Sequence, residues 1–442
     1  MTRLAVFTTG SCNRLGMARA LMATVRQHYP EADLFICVGD DATGLIPPSG
    51  CHLVAGADIG VPGWRRTCFA YDIMGLNCLL KPFMFLHLIE TLGYDRVIHC
   101  DTDMALFDRL HAVDAALDAG ASLVITPHLL APPAPADVPG PRGILMAGTY
   151  NTGFVAASSN EAARAALRWW AARVHEDGGA APERGLVWDQ RWMDLVPGLF
   201  PAVHITRDPA LNVAYWNLPQ RRLSRDGGGW TVAGHRLGLF HFSGFDPADP
   251  TRLTRHATSI PTPPPRGLAA LLAEYAALLS VHHDAADATW PYAHARFASG
   301  TLIPPAARTL FHAHHRDWRT DPFVTFEAHL NAPSPGAARH PAGLVLTNLL
   351  AWLVQNDPHA QHLFDTSTAG GVAGAVSWAT TLDLPAPLLA AAMNGADAEA
   401  LPAIDTQSAG AAARELAAIH RSTSWRLTAP LRALATLLGR RR

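Results

Sequence analysis

Short apolar runs alternate with stretches of helical periodicity through the first half of the chain. Runs at 4–9, 33–39, 96–100 and 122–126 predict strands, and apolar residues at helical spacing over 17–29 and 71–92 predict helices. Continuous β-rich runs separated by helices are typical of a parallel sheet covered on both faces. Later runs at 153–158, 201–206, 230–234 and 236–242 predict antiparallel additions. The pattern predicts an α/β fold.

The pattern changes near residue 250. A proline-rich stretch at 259–267 is stiff and unsuited to a sheet, and alanine- and leucine-rich sequence with helical periodicity follows it. We therefore expect an α/β domain over 1–258, a linker over 259–267, a mostly helical accessory domain over 268–400, and a flexible segment with a basic amphipathic tail over 401–442.

Composition narrows the class of protein. The 442 residues are 49% hydrophobic and 16% charged with a formal net charge of -2, which argues against a nucleic-acid binder. No basic region precedes an apolar run at the N-terminus, and no apolar stretch is expected to span a bilayer, so a cytoplasmic location is predicted. The six cysteines form no CxxC pair and are predicted to be free thiols.

An acidic pair follows one of the predicted strands. Asp101-Thr102-Asp103 comes directly after the apolar run 96–100, and ligands of open α/β sheets bind beyond the carboxyl ends of strands. Two carboxylates at i and i+2 can converge on Mg²⁺ or Mn²⁺, which would neutralise a diphosphate. Most Asp-x-Asp pairs are solvated turns, and the position after a buried strand is what favours a metal here.

An Asp-x-Asp motif at a strand end, in a chain that opens with a βαβ pattern, resembles the GT-A glycosyltransferases. The chain is similar to their family eight, the glycogenin and lipopolysaccharide galactosyltransferase group. That resemblance implies a GT-A (Rossmann-like nucleotide-diphospho-sugar transferase) domain that transfers a hexose with retention of configuration. It implies site roles for these residues: metal ligands Asp101, Asp103 and His241; catalytic Asp189 and Gln190; donor-binding Lys81, Asp101, Asn151, Thr152, Gly153 and Gly244.

A second resemblance covers most of the first 260 residues. The strings LVWDQRWMDLVPGLFP, DPALNVAYWNL and LFHFSGFDPADPTRL are similar to bacterial glycosyltransferases of surface-polysaccharide and lipopolysaccharide loci. Two departures stand out. Thr102 replaces the proline of their usual Asp-Pro-Asp, and Phe245-Asp246-Pro247 replaces the lysine and tryptophan with which family eight grips the diphosphate. That grip must come from elsewhere in the chain, and Lys81 is the candidate.

Each of these residues has a simpler interpretation. His241 can be a satisfied core histidine, Lys81 can extend to solvent, and Asp189 can cap the helix that follows it. Asn151 can serve a turn. Thr8 and Thr9, at the end of the first strand, are expected to meet the nucleotide. Tyr215, Trp216 and Asn217 form either a sugar platform or part of the core.

Three functions remain open from the sequence. The first is a metal-dependent glycosyltransferase that uses Mn²⁺ or Mg²⁺, a nucleotide-sugar donor, and a glycan, lipid-linked or protein acceptor. The second is a sugar nucleotidyltransferase, although the segment TTGSCNRLG poorly matches its Gly-rich, Arg-bearing loop. The third is a non-catalytic sugar- or partner-binding protein on a degenerate transferase fold. The arginine-rich tail, with Trp425 and several leucines, suits either peripheral contact with an anionic membrane or a solvated helix end.

Overall fold

The computed structural model describes residues 2–134, 139–181, 185–256, 266–314 and 317–395. The chain divides into two compact units, Met1–His294 and Ala295–Arg442. The strands are β1 (Leu4–Gly10), β2 (Asp33–Val38), β3 (Cys51–Ala55), β4 (Arg96–Cys100), β5 (Met104–Leu106), β6 (Leu123–Pro127), β7 (Tyr150–Ser158), β8 (Ala180–Ala181), β9 (Leu186–Val187), β10 (Val203–Ile205), β11 (Leu223–Asp226), β12 (Gly229–Val232), β13 (His235–Arg236) and β14 (Leu239–His241).

Ten helices of the described residues belong to the first unit and six to the second. In the first unit they are α1 (Leu15–His28), α2 (Trp64–Ala70), α3 (Ile73–Leu86), α4 (His111–Asp118), α5 (Pro141–Ala147), α6 (Glu161–Asp177), α7 (Gln190–Met193), α8 (Val196–Leu199), α9 (Arg266–His282) and α10 (Ala285–Ala288). In the second they are α11 (Pro305–His314), α12 (Pro322–Asn331), α13 (Asn348–Asn356), α14 (Pro358–Leu363), α15 (Ala369–Ala379) and α16 (Ala386–Met393).

A seven-stranded sheet organises the first unit, in the order β10-β6-β7-β4-β1-β2-β3. Strands β3, β2, β1 and β4 run parallel, and β7 runs antiparallel between β4 and β6. Buried β1 and β4 are nearly continuous apolar runs because helices cover both faces: α1 packs on one side and α3 with α6 on the other. The predicted α/β class and the mostly helical C-terminal region are confirmed.

The later strands differ in part from the sequence prediction. β7 is antiparallel, as expected for 153–158, and so are β12 with β13 and β14 with β5. The run at 201–206 was predicted to be antiparallel, but its strand β10 pairs parallel with β6. Strand β3 has no counterpart in the sequence prediction: its run CHLVA is apolar except for His52, but it is short and only partly buried at the edge of the sheet.

The first unit continues past the proline-rich stretch. Helix α9 packs on α1, and its Leu271, Leu272 and Tyr275 lie in one apolar cluster with Phe240 and Phe242 of the sheet unit. The compact unit ends at His294, so it differs from the domain boundary expected at residue 258. Residues 259–265 of the expected linker and 396–442 at the C-terminus lie outside the described residues.

One helix of the described residues has the length and apolar composition to cross a bilayer, contrary to the sequence expectation. It is Ile73–Thr91, α3 extended by a π-turn at His87–Thr91, with a mean hydropathy of 1.3. Within the fold 67% of that window is buried, and α3 packs on β1 and α6. The core helix of an α/β unit meets the same criterion, so this stretch carries no argument for a membrane span. All six cysteines are free thiols, as predicted.

The second unit is helical over its described residues. Its core contains Leu344, Leu350, Val354, Val372 and Val376, contributed by α13, α15 and the segment that precedes α13. Thr347 caps α13 and Thr368 caps α15 with side-chain hydrogen bonds to backbone N–H groups, which satisfies donors that a helix start leaves free. The helical periodicity of this region therefore predicted its structure correctly.

Candidate active site

The acidic pair forms the turn between β4 and β5 at the carboxyl edge of the sheet. The Asp101 N–H donates to the Gly153 carbonyl at 2.8 Å, and the Met104 N–H donates back to the Asp101 carbonyl at 3.1 Å. β4 is buried on its last four residues, whereas the side chains of Asp101 and Asp103 remain 29% and 26% exposed. A buried strand that ends in a tight turn thus presents two carboxylates at a solvent-accessible edge.

Pairing of β14 with β5 brings His241 to this turn from a distant part of the chain. His241 lies opposite Met104 in register, and the Phe242 N–H donates to the Asp103 carbonyl at 2.8 Å. The His241 Nε2 lies 3.0 Å from the Asp103 Oδ1. Ligand atoms of Asp101, Asp103 and His241 all lie within 4.8 Å of one another, the only such group of three found among the described residues. The predicted convergence of these three residues is therefore confirmed.

The residues suit a hard divalent cation. Two carboxylate oxygens and one imidazole nitrogen are a ligand set that Mn²⁺ and Mg²⁺ accept, with positions left for phosphate oxygens. His241 is 4% exposed and its Nδ1 has no hydrogen-bond partner, so it is not the satisfied core histidine of the simpler interpretation. Burial raises the pKa of Asp103, but the neighbouring His241 outweighs it and holds this pKa below its usual value.

The absence of a side chain at Gly153 leaves space for the His241 ring and the Asn151 amide. A Cβ on this residue would lie 2.7 Å from the His241 Cε1, 2.8 Å from the Asn151 Oδ1 and 2.8 Å from the Met104 Cε. Side chains are essentially never found at such distances, so a larger residue at 153 would displace the histidine ring or the amide. The glycine of the Asn-Thr-Gly segment thus has a steric role, beside the predicted metal ligands.

Lys81 joins the acidic pair to a second carboxylate. It is the only lysine in the sequence, so all other Lys and Arg positions are arginines. Its Nζ lies 3.0 Å from the Asp101 Oδ1 and 3.5 Å from the Asp189 Oδ2, and donates to the Thr152 carbonyl at 3.4 Å. The ammonium thus forms two ion pairs and one hydrogen bond, and the Asp189 Oδ2 has no hydrogen-bond partner among the described residues. Lys81 therefore does not extend to solvent; it is 4% exposed and bridges two predicted site residues.

The charge of Lys81 is maintained by these neighbours. Burial acts to lower the pKa of Lys81, but the carboxylates of Asp101 and Asp189 outweigh burial and hold its pKa above the usual value. The Lys81 ammonium places one positive charge between the two carboxylates. Chemically, the lysine offsets the repulsion that the two acids would otherwise exert on each other.

Asp189 stands at the start of α7 but does not cap it. No cap hydrogen bond forms from its side chain, and the carboxylate, 2% exposed, faces Lys81 instead. Its backbone is anchored by the Trp170 Nε1, which donates to the Asp189 carbonyl at 3.0 Å. The preceding Trp188 has a φ of 43°, a left-handed conformation that is costly for an aromatic residue. Capping therefore does not explain this aspartate.

Asn151 and Gln190 form a hydrogen-bonded amide pair near the predicted metal ligands. The Asn151 Nδ2 donates to the Gln190 Oε1 at 3.0 Å, and the Thr152 N–H donates to the same oxygen at 3.3 Å. The Gln190 Nε2 donates to the Ala147 carbonyl at 2.8 Å. The Asn151 Oδ1 accepts from the Gly153 N–H. Both amides are thus bonded to the protein itself, and their predicted contacts with a sugar stay predictions.

The other predicted donor residues lie around the same edge. Thr9 donates to the Asn77 carbonyl at 3.0 Å, and the Thr8 Oγ1 is buried with no hydrogen bond to any described residue. Gly244 has a φ of 74°, which favours glycine, and a Cβ there would lie 2.4 Å from the His256 Cδ2. The turn after His241 therefore packs closely against the segment that contains His256.

Two polar residues of the site were missed by the sequence analysis. His99, two residues before Asp101, is fully buried with its Nε2 3.7 Å from the Asp101 Oδ1. His128 directly follows β6, its ring 5.2 Å from that of Trp216 and its Nε2 3.4 Å from the Asn151 Nδ2. A polar residue at the end of a buried strand, the same signal that identified the acidic pair, points to His128.

Both histidines are held neutral. Burial, followed by the charge of Lys81, lowers the pKa of His99 to about 3. Burial also lowers the pKa of His128 to about 4. Neutral imidazoles add no positive charge to the cluster, so Lys81 is the cation that faces the acids directly.

The aromatic segment after Asn212 is mostly structural. Trp216 is 6% exposed and packs edge-on against His241 with ring centroids 5.2 Å apart. Asn217 is fully buried and donates to the carbonyls of His128 and Asn212. The sequence left a sugar platform and a core role open for these residues; the contacts of Trp216 and Asn217 are those of core residues.

No family model matches the chain. Two Bacillus subtilis (strain 168) proteins are similar to parts of it: Uncharacterized protein YfnF is 35% identical over 99 residues, 22% of this chain and 33% of that protein. Uncharacterized protein YfnD is 28% identical over 176 residues, 38% of this chain and 52% of that protein. The alignments thus span only about half, or less, of these relatives.

Solved structures of glycosyltransferases also resemble the chain at low identity. A glycosyltransferase involved in the glycosylation of the major capsid of PBCV-1 has a TM-score of 0.33 at 10% identity, and covers 54% of this chain and 93% of its own. The galactosyltransferase LgtC, solved in complex with donor and acceptor sugar analogs, has a TM-score of 0.38 at 12% identity, with 63% and 95% covered. At TM-scores this low, neither likeness carries an inference about this chain.

Proposed function

We propose that the chain is a metal-dependent glycosyltransferase on a GT-A fold, which moves a sugar from a nucleotide-sugar donor to a glycan, lipid-linked or protein acceptor. The observation that carries this proposal is the convergence of Asp101, Asp103 and His241 within 4.8 Å at the carboxyl edge of the sheet. Beside it, Lys81 ties this cluster to the buried carboxylate of Asp189. The resemblances of the sequence to bacterial surface-polysaccharide enzymes support the same class.

Asp101, Asp103 and His241 would hold the cation. When bound there, Mn²⁺ or Mg²⁺ supplies positive charge to the diphosphate that leaves the sugar. The chain's own residues do the rest. The Asp189 carboxylate supplies negative charge that stabilises oxocarbenium-like charge on the sugar, and Gln190 fixes the backbone of the neighbouring Asn-Thr-Gly segment. Lys81 holds the Asp101 and Asp189 carboxylates side by side through its two ion pairs.

Positive charge for the diphosphate is also available at the rim of the site. Arg255 and His256 are exposed, and the Arg255 N–H donates to the Gly244 carbonyl at 2.9 Å, which ties this segment to the turn after His241. Lys81 is already paired with Asp101 and Asp189 and donates to the Thr152 carbonyl. We therefore assign binding of the diphosphate to Arg255, in place of the missing lysine and tryptophan of family eight. Burial lowers the pKa of His256, which would act beside Arg255 as a neutral hydrogen-bond donor.

Release of nucleoside diphosphate from a panel of nucleotide sugars, with and without Mn²⁺, tests the function. Wild-type protein is expected to release it only with Mn²⁺, and Asp103→Ala is expected to lose that release. The surface variant Asp118→Asn, whose side chain is 66% exposed, is the matched control and should retain it. Formation of pyrophosphate from a nucleoside triphosphate and a sugar 1-phosphate would instead indicate a nucleotidyltransferase. Saturable binding of a nucleotide sugar without turnover would indicate a non-catalytic binding protein.

Finer features extend the same proposal. Retention of anomeric configuration follows from the family resemblance, and NMR of the product anomer measures it directly. A role in bacterial surface-polysaccharide or lipopolysaccharide synthesis, a cytoplasmic location and contact of the tail with an anionic membrane complete the proposal. A screen of nucleotide sugars by thermal shift identifies the donor, because at equal concentration a ligand that binds more tightly raises the melting temperature further.

A further inference from the structure

Asn212 combines burial, an unusual backbone conformation and long-range side-chain bonds. It is 2% exposed and has a φ of 54°, in the left-handed region that non-glycine residues rarely adopt. Asparagine is among the few residues that tolerate this region, but glycine would occupy it at lower cost. The side chain therefore has a use that glycine could not provide.

That use is visible in its hydrogen bonds. The Asn212 Nδ2 donates to the Thr126 Oγ1 at 2.8 Å and to the Asn151 Oδ1 at 3.0 Å. Both hydrogens of the amide group are thus engaged, one on β6 and one on β7. The segment that carries Asn212 is held in turn by Asn217, whose Nδ2 donates to the Asn212 carbonyl at 3.1 Å.

The contact with Asn151 sets the direction of a chain of amides. Since the Asn151 Oδ1 accepts from Asn212 and from the Gly153 N–H, the Asn151 Nδ2 must face the Gln190 Oε1. If the Asn151 amide were reversed, its NH₂ would face the Asn212 NH₂ and its oxygen would face the Gln190 Oε1. Each hydrogen bond lost at such a buried site costs about 1–3 kcal/mol. The chain reaches Gln190, which follows Asp189 in sequence and whose Nε2 donates to the Ala147 carbonyl.

We propose that Asn212 is a positioning residue that orients the side chain of Gln190, the residue after Asp189, through the Asn151 amide. For its effect on turnover, this inference rests on the proposed glycosyl transfer. The Asn212 side chain forms no hydrogen bond to the predicted metal ligands among the described residues, so its variants are expected to act on Gln190 and to leave metal binding intact.

Three variants separate the amide from the backbone. Asn212→Gly keeps the left-handed conformation and removes the amide. Asn212→Asp keeps size and conformation, but places an acceptor against the Asn151 Oδ1. Ala233→Gly is the matched control, because Ala233 also has a positive φ, of 50°, and lies in the β12–β13 turn away from the site. If Asn212 is needed only for its backbone conformation or volume, Asn212→Asp should be the less harmful of the two substitutions. If its amide orients Asn151, Asn212→Asp should be the more harmful.

Turnover of the nucleotide sugar found active in the panel gives the first readout. Both Asn212 variants are expected to lower kcat roughly 10–100-fold with Asp the lower, while Mn²⁺ affinity and donor KM change by less than about threefold. In a Gln190→Ala background, Asn212→Gly should lower kcat no further, because both act through one group. Wild-type turnover in Asn212→Asp, or equal losses in both backgrounds, would overturn the inference.

A second readout does not depend on turnover. Protein labelled with ¹⁵N-glutamine gives a Gln190 side-chain amide signal, which is assigned by its loss in Gln190→Ala. This signal is expected to shift in Asn212→Gly and Asn212→Asp, and to stay in place in Ala233→Gly. An unmoved signal in both Asn212 variants would overturn the inference. If no nucleotide sugar reacts, the proposed function fails, and this measurement still decides the role of Asn212.

Discussion

Tyr275 stacks face to face on Phe242, with ring centroids 3.6 Å apart and planes 3° apart. Phe242 directly follows the predicted metal ligand His241, and Tyr275 belongs to α9, beyond the proline-rich stretch. The helix assigned by sequence to an accessory domain is therefore part of the unit that carries the site. The strand that presents His241 is buried by a segment more than thirty residues downstream.

A fragment truncated at residue 258 should lack a stable fold, whereas 1–294 should unfold cooperatively. Truncation at 258 exposes Phe242 and Phe245 and removes Leu271, Leu272 and Tyr275 from the cluster. Each such burial is worth about 1.5–3 kcal/mol, and whole domains are stable by only about 5–15 kcal/mol. Circular dichroism during thermal unfolding compares the two fragments.

Point variants in α9 provide the control for that comparison. In the full chain, Leu271→Ala should cost about 2–5 kcal/mol of unfolding free energy. Val281→Ala, at a position 78% exposed, should cost little. Equal melting temperatures for 1–258 and 1–294 would show that α9 adds nothing to the unit.

The single lysine provides a direct probe of the metal site. Protein labelled with ¹³C-lysine has one labelled side chain, Lys81, whose Nζ lies 3.0 Å from the Asp101 Oδ1. Paramagnetic Mn²⁺ should broaden this NMR signal at low concentration. His241→Gln should require more than about tenfold higher Mn²⁺ for the same broadening, since even outer-shell partners are worth 10–100-fold.

The control for this experiment is another histidine. His204→Gln changes an exposed residue of β10 and should leave the Mn²⁺ titration unchanged. If His241→Gln titrates like the wild type, the imidazole is no ligand and the three residues do not share an ion.

Lys81→Arg should be severely disruptive despite the conserved charge. The ammonium lies 4% exposed among three acceptors in a packed helix, and the larger planar guanidinium has a different donor geometry. Lys81→Met, which leaves Asp189 without its cation, should cost about 3–5 kcal/mol. Urea unfolding measures both losses.

The control for Lys81→Arg is the reverse substitution, arginine to lysine, at an exposed position. Arg222→Lys, at an exposed site, should be neutral within about 0.5 kcal/mol. Wild-type stability and turnover in Lys81→Arg would mean that any cation suffices at 81.

Gly153→Ala should weaken Mn²⁺ binding and lower stability together. The added methyl would meet the His241 Cε1 at 2.7 Å, and relief of such overpacking costs about 1–3 kcal/mol. Isothermal titration with Mn²⁺ and thermal unfolding measure the two effects. Gly198→Ala, with no heavy atom within 4 Å of its added Cβ, should change neither. Unaltered Mn²⁺ affinity in Gly153→Ala would argue that the histidine ring is not held by this contact.

His128 should make the protein less stable in mild acid. Burial lowers the pKa of His128 from 6.5 to about 4, so the unfolded chain binds this proton more tightly than the folded one. The unfolding free energy should therefore fall as the pH drops from about 6.5 to about 4, by roughly 3 kcal/mol from this residue. His128→Gln should flatten that part of the curve in urea titrations at successive pH values. An unchanged slope would contradict a neutral, buried His128.

The sequence by itself determined the local parts of this site. Apolar runs identified β1, β2, β4 and β6, because a strand buried on both faces has few polar positions. The position of Asp101 and Asp103 followed from the end of β4, since the carboxyl edge of such a sheet is where ligands bind. The roles of His241 and Asp189 came from the motif resemblance, because the spacing of apolar residues does not indicate which polar residues form a site.

Only the tertiary structure decided which side chains meet. The pairing of β14 with β5 sets the distance of His241 from Asp103. The bridge from Lys81 to Asp189 depends on α6, against which both α3 and α7 pack. The directional chain from Asn212 to Gln190, and the burial of Phe242 by α9, join residues tens of positions apart. Contacts of this kind depend on the summed packing of the whole unit, to which each local segment contributes only a small part, so local pattern cannot specify them.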